Sequence, residues 1–150
     1  MEPDRLERLL QGLTGKDDWP ELNRTNELKE LGDKLPNHLL CQYRRSPKAE
    51  NRCACVFYAI PYAKRIEAAY TLGLEALTDR SRIVRYRACM LVAFALRREA
   101  LPTLRELLNH QDLKTVEDAK AAIYAIENQN HNYFVDRKHR GKIKLNIIEA

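Results

Sequence analysis

A motif that returns every 31 to 34 residues constrains the fold of this chain more than any other feature. Its clearest copy runs Leu77, Thr78, Asp79, Arg80, Ser81, Arg82, Ile83, Val84, Arg85, Tyr86, Arg87, Ala88. Forward by 31 positions, Ala69 falls on Ala100, Leu77 on Leu108, Ala88 on Ala119, Val92 on Ile123 and Ala95 on Ile126. Back by 34, Ala88, Cys89, Met90 and Leu91 fall on Ala54, Cys55, Val56 and Phe57. Small residues meet small ones and apolar meet apolar. A repeat of this length means helix pairs stacked in a row, each burying its apolar face on its neighbours, and about three pairs are the minimum for a core.

Apolar spacing supports helices throughout. Tyr62, Ile66, Ala69, Tyr70, Gly73, Leu74 and Leu77 form one stripe, and Val84, Ala88, Leu91, Val92 and Ala95 form another, each the buried face of a helix of three or four turns. Pro61 should end a helix near Ile60, Pro102 suits a first turn, and Pro36 and Pro47 bracket a short helix over 39–44. Ser81 and Asp112 are expected caps, since their side-chain oxygens can accept first-turn amides. Upstream, Leu6, Leu9, Leu10 and Leu13 predict a short amphipathic helix, 15–20 a turn and 22–35 a second helix. These segments fit the repeat less well and are expected to cap the row, with Trp19 plugging the junction in preference to anchoring a partner.

After Tyr133 the chain turns basic at Arg137, Lys138, His139, Arg140, Lys142 and Lys144, while Ile143, Leu145 and Ile147 alternate with polar residues. That two-residue period predicts an extended segment. It is expected to be a loosely attached tail, the alternatives being a segment laid along the domain or a strand lent to a partner's sheet. The expected organisation is one domain over 1–150: an N-terminal helical cap over 1–35, helix pairs over 37–128 and the basic tail over 134–150.

Asp79, Arg80 and Ser81, followed by Val84-Arg85 and Ala88, resemble a HEAT repeat, in which a polar turn containing Asp leads into a helix opening Val-Arg with Ala one turn later. The resemblance is good over 62–97, fair over 98–128 and weak over 37–61. In the third copy Thr115 stands for Val84 and Val116 for Arg85, which breaks the basic ladder typical of the family. The resemblance implies an all-α fold, a short right-handed α-solenoid of about three HEAT-like helix pairs. Some HEAT-like proteins are DNA glycosylases, but this chain is shorter and its Asp17-Asp18-Trp19 cluster lies outside the repeats.

Catalytic patterns are missing. Five glycines include no phosphate-cradling loop, and there is no nucleophile elbow or His-Glu-x-x-His helix. Cys55 and Cys89 occupy matching apolar helix positions and read as small buried hydrophobes. His38, Cys41, Cys53 and Cys55 offer zinc-ligand types, yet the paired Cys-x-x-Cys spacing is absent and a helix would hold Cys53 and Cys55 on different faces. His38, His110, His131 and His139 fall in expected turns or tails and read as solvated. The expectation is a protein that is not an enzyme, with no catalytic residue, metal or cofactor. No run of about 18 apolar residues occurs and the charged start has no leader pattern, so a cytoplasmic protein that spans no membrane is expected.

Charge carries the functional signal. The net charge is +5, and turns between paired helices project on one edge, so Arg45 and Lys48 could align with Arg80 and Arg82 in a basic ridge. The competing account pairs Arg85 and Arg87 with Glu117 or Asp118 and leaves the others solvated. A ridge suits a protein-binding module that uses arginine for bidentate contact and fast association. Small HEAT-like proteins of this size are similar to bacterial inhibitors and immunity proteins, which implies a partner such as a toxin or nuclease. The N-terminal acids, Asp17 and Asp18 with Glu21, Glu27 and Glu30, offer a second contact surface against a basic nuclease. Nucleic-acid binding through ridge and tail is the alternative, disfavoured by 21 acidic residues beside 26 basic ones and by the lack of aromatics interleaved with the tail's charges.

Overall fold

A computed structural model of the chain describes residues 1–150. The fold is all-helical, with eight α-helices and no strand: α1 (Pro3–Gly12), α2 (Trp19–Leu28), α3 (Leu35–Arg45), α4 (Ala49–Ala59), α5 (Glu67–Ala76), α6 (Arg82–Ala95), α7 (Leu101–Leu107) and α8 (Leu113–Glu127). Short 3-10 turns lie at Lys29–Lys34, Ile60–Tyr62, Arg98–Ala100 and His131–Phe134. No helix is long and apolar enough to cross a membrane.

Consecutive helices α3 and α4, α5 and α6, and α7 and α8 pack against each other, while α4 lies on α6 and α6 on α8. The small residues of the repeat make these approaches possible. Ala54, Cys55 and Ala59 of α4, Ala88 and Cys89 of α6, and Ala119, Ala122 and Ala125 of α8 are all buried. Between them sit Val56, Val84, Leu91, Val92 and Ile126, each fully buried and each worth roughly 1.5–3 kcal/mol of transfer free energy. α6 is enclosed on every side from Ala88 to Ala95. A Cβ on Gly73 would run into the Leu91 side chain, so α5 comes this close to α6 only because residue 73 has none.

A polar ladder runs beside this core. Arg52 donates to both carboxylate oxygens of Asp79, at 3.0 and 3.2 Å, and Tyr43 Oη donates to the same carboxylate at 2.8 Å. The Arg52 and Asp79 side chains are nearly closed off from solvent. Farther along, Arg85 donates to Asp112 at 3.3 Å and to Thr115 Oγ1 at 2.9 Å. Each arginine also donates to the backbone of its own preceding turn, Arg52 to the Ser46 carbonyl and Arg85 to the Asp79 carbonyl. Helical side chains lean toward the helix N-terminus, which directs both arginines to the turns. The pairing of Arg85 and Arg87 with Glu117 or Asp118, which the competing account required, does not form. Arg87 instead lies over the Phe57 ring, 4.5 Å from its centroid; Glu117 pairs with Lys120 and Asp118 with Arg137.

The N-terminal helices are fastened by two buried polar residues. Asn51 donates to the carbonyls of Leu10 and Leu13, both at 2.9 Å, at the end of α1. Glu21 accepts from the amides of Thr14 and Gly15, from Arg24 and from Tyr58 Oη at 2.6 Å. Burial pushes the Glu21 carboxyl up, but bonds from Tyr58, Gly15, Thr14 and Arg24 outweigh it and hold it below its ordinary 4.5. Because Glu21, Leu13 and Tyr58 fill this junction, Trp19 does not plug it; Trp19 is 76% exposed. The helix expected over 22–35 is also interrupted. Gly32, at φ 55° and ψ −131°, takes a conformation that side chains disfavour and separates α2 from α3.

Ser81 and Asp112 do stand at helix N-caps, but neither side chain accepts a first-turn amide. Their backbone amides are instead held by the residue two positions earlier, as Lys48's is. Lys48 N–H donates to Ser46 Oγ at 3.4 Å, Ser81 N–H to Asp79 Oδ1 at 2.9 Å and Asp112 N–H to His110 Nδ1 at 2.9 Å. The same hook recurs in all three turns.

Asp79→Ala would strand Arg52 and Tyr43 in the interior, and is expected to cost about 3–5 kcal/mol, read as a lower urea midpoint. Burial pushes the Asp79 carboxyl up too, yet its bonds from Arg52, Ser81 and Tyr43 hold it below 3.8. For such depressed acids, the stability is complete above the ordinary values and is lost as pH falls through the lower folded ones. Unfolding free energy should therefore drop as the medium is acidified below about pH 4.5, and Glu21→Gln should flatten that drop.

Candidate functional site

The three hooked turns between paired helices lie side by side, because Arg52 and Tyr43 bind Asp79 of the second turn and Arg85 binds Asp112 of the third. Arg45 and Lys48 flank the first turn, Arg80 and Arg82 the second, and Lys114 follows the third. All five side chains are exposed. None belongs to an ion pair. Arg45 donates to the Gln42 amide oxygen at 3.2 Å. The acids of this edge are engaged elsewhere: Glu75 with Arg44, Glu50 with Lys16, Asp79 with Arg52 and Asp112 with Arg85. The result is a row of uncompensated positive charge on a rigid edge, which creates an outward field even though the protein as a whole is only moderately basic.

Asp17 and Asp18 sit in the loop between α1 and α2, on the N-terminal cap and outside the row of turns. Asp18 accepts the Glu21 amide at 2.9 Å as the N-cap of α2, so one of the two serves the helix while Asp17 stays exposed. Glu21 is consumed by the cap junction and Glu27 by Arg5. The acidic surface is therefore thinner than its residue count suggests.

The segment after Tyr133 forms no strand, since it leaves a 3-10 turn through a tight turn and then runs on without regular secondary structure, but it is not loosely attached. Phe134 is fully buried with its ring centroid 5.7 Å from that of Tyr86. Asp136, also buried, closes a turn by accepting the amides of Arg140 and Gly141 at 3.1 and 2.7 Å. Arg137 donates to the Phe134 carbonyl and to Asp118, both at 2.9 Å. Burial raises the Asp118 carboxyl against the lowering effect of Arg137. Beyond the turn, Leu145 is buried and its amide donates to Asn132 Oδ1 at 3.0 Å, while the Ala150 amide reaches the Pro61 carbonyl at 3.1 Å. Residues 131–150 form a strap across the helices. Lys138, Arg140, Lys142 and Lys144 remain on its outer side.

Arg137 meets Arg82 and Lys114 at a groove between the first turns of α6 and α8. Its cavity measures about 510 Å³ and is lined by Ile83, Tyr86 and Leu113 along with Glu117 and Asp118. Sequence reasoning selected Arg82 but passed over Lys114, Arg137 and the aliphatic pair Ile83 and Leu113. The available signal was two aliphatic residues at first-turn positions, each beside a basic one. A second groove of about 600 Å³ lies where strap residues 146–150 run beside Leu28, Leu35, Leu39 and Phe57.

Of the four free cysteines, Cys41 is exposed, Cys53 is half-buried, and Cys55 and Cys89 are buried. Burial pushes the Cys55 thiol up to about 12 and raises Cys89 further, and Cys53 donates to the Ile83 carbonyl at 3.6 Å. His38 lies within α3 and His131 packs on Phe94, so neither is the solvated turn residue expected; His139 is exposed in the tail, as expected, with its ring stacked on Tyr133 at 4.1 Å. No group of three or more His, Cys, Asp or Glu side chains is placed to hold a metal ion. Compared with known proteins, the chain matches no family model, no curated protein and no solved structure.

Leu145→Asp, which puts a charge in an apolar seat, is expected to release the strap without opening the helices. Amide exchange at Leu145 and Ala150 should rise sharply while α6 amides keep their protection. Equal acceleration throughout would make the strap part of one cooperative core.

Proposed function

We propose that the chain is a short right-handed HEAT-like α-solenoid of three helix pairs that acts as a non-catalytic protein-binding module. The observation that carries this reading is the row of cations without ion-pair partners, Arg45, Lys48, Arg80 and Arg82, on turns linked by the arginine–aspartate contacts of Arg52 with Asp79 and Arg85 with Asp112. A rigid edge loses little freedom on binding, and a one-signed field steers an acidic surface toward it and sets its register. The most specific form of the proposal is an inhibitor or immunity protein working in the cytoplasm, which neutralises a protein toxin by covering its surface. Asp17 and Asp18 would be a secondary contact on the cap.

Nucleic-acid binding is the second reading, favoured by the exposed Lys138, Arg140, Lys142 and Lys144 of the strap, which add positive charge to that of the turns. Against it, the turn cations Arg45, Lys48 and Arg80 have no aromatic ring placed over them on which the geometry of a base-stacking platform could be built. The solvent-exposed Trp19 sits on the cap, away from the row.

Arg45→Glu with Arg80→Glu removes no ion pair, so the doubly substituted protein should keep its unfolding free energy within about 0.5 kcal/mol. Captured from source-cell extract treated with nuclease, the unsubstituted protein should hold one stoichiometric protein partner that the double variant loses. Retention of nucleic acid alone, with affinity falling steeply as salt rises, would establish the second reading instead. Undiminished capture by the variant would remove the row from the binding surface.

A further inference from the structure

We infer that the groove between the first turns of α6 and α8 is the docking site for an extended acidic segment of the protein partner, with an aliphatic or aromatic side chain seated on the groove's floor. The inference rests on the protein-binding reading above and names the chemistry of what is bound. Helix α6 opens with Arg82 and Ile83, helix α8 with Leu113 and Lys114. Each helix thus places one cation and one aliphatic side chain in its first two positions, and the two pairs face the same groove.

Both choices run against the needs of the folded chain alone. The start of a helix carries partial positive charge, so acids are favoured there and cations disfavoured. Neither helix has an acid in its first turn. Asp112, just before α8, is engaged by Thr115 and Arg85, which with a smaller effect from the charge of Arg82 hold its carboxyl below the ordinary value, and neither Arg82 nor Lys114 has an ion-pair partner. Ile83 is 49% exposed and Leu113 is 76% exposed, although a polar residue would serve the helix equally well. A carboxylate entering the groove would relieve the repulsion of helix ends and cations together, and an apolar side chain would cover the aliphatic pair.

The groove is also held open in a fixed shape. Tyr86 is backed by Phe134, and Arg137 is oriented by the Phe134 carbonyl and Asp118. The two acids at the site are already engaged, Asp118 by Arg137 and Glu117 by Lys120. A volume of about 510 Å³ lies within the range of ligand-sized clefts, and its apolar lining is two aliphatic side chains, Ile83 and Leu113, beside a single ring, Tyr86. Charge complementarity with an apolar centre is the usual anatomy of a protein recognition surface.

The test is panning of a random-peptide display library on the immobilised full-length protein, followed by fluorescence anisotropy of the recovered peptides. Net-acidic peptides containing Leu, Ile, Phe or Trp should be enriched. Their affinity should fall about tenfold or more in Ile83→Ser/Leu113→Ser and in Arg82→Gln/Lys114→Gln, the loss of about 1.4 kcal/mol or more. All four side chains are exposed, and thermal melts of both variants would confirm that they fold. Failure to enrich, enrichment without an acidic bias, unchanged affinity in both variants, or equal competition by a single-stranded oligothymidylate would each overturn the assignment. The Arg45→Glu/Arg80→Glu protein lies outside the groove and should bind the peptides normally. Partner capture that survives in that variant while groove peptides still bind would refute the basic row and leave the groove standing.

Discussion

Arg52 can lie in the interior only because Asp79 is there to meet it. A guanidinium shut away from water costs several kcal/mol unless its hydrogen bonds are returned, and here two come from the Asp79 carboxylate and one from the Ser46 carbonyl. Asp79 in turn accepts from Tyr43 and from the Ser81 amide. One carboxylate therefore joins α3, α4 and the start of α6. The same arrangement is met again at Arg85, which draws on Asp112, Thr115 and the Asp79 carbonyl. Apolar faces of alanine, valine and leucine can slide past one another with little penalty. A hydrogen-bonded ion pair cannot, so these two rungs, the first buried and the second partly exposed at Asp112, fix the register in which the helices meet.

The rungs also account for where the surface charge goes. Asp79 and Asp112 are spent on the rungs, Glu75 and Glu50 are paired beside the turns, and cations without ion-pair partners are left to line the outer edge. A chain that is only mildly basic in sum can in this way present a strongly one-sided face. The distinction matters for recognition, because partners respond to local field and shape, and net charge governs little beyond solubility.

Much of the helical core was legible in the sequence, because it follows from local rules. The repeat located Ala54, Cys55, Ala88, Cys89 and Ala119 as buried, and Pro102 opened α7. What escaped depends on contacts without periodicity. Arg137 finds Asp118 across a distance in sequence that no pattern announces, and this contact turns a charged terminus into a strap. Asn51 holds α1 through backbone carbonyls, which leave no mark on residue choice. Trp19 was misplaced because a polar residue, Glu21, filled the junction that hydrophobicity alone would assign to an aromatic. At the candidate site, Arg82 was visible through its repeat position, whereas Lys114 and Arg137 depended on the way α8 and the strap converge.

The strap gives the molecule an order of assembly. Residues 131–150 follow all eight helices in the chain, so during synthesis they leave the ribosome after the helical pairs have had time to form from near neighbours. Most of the fold can thus grow by local steps, with little loop closure to overcome. The seats of Phe134 and Leu145 stay vacant until the helices are in place. Tyr86 and the cation-lined groove beside it gain their final wall only when Phe134 and Arg137 arrive, which makes completion of that surface a later event than the pairing of the helices.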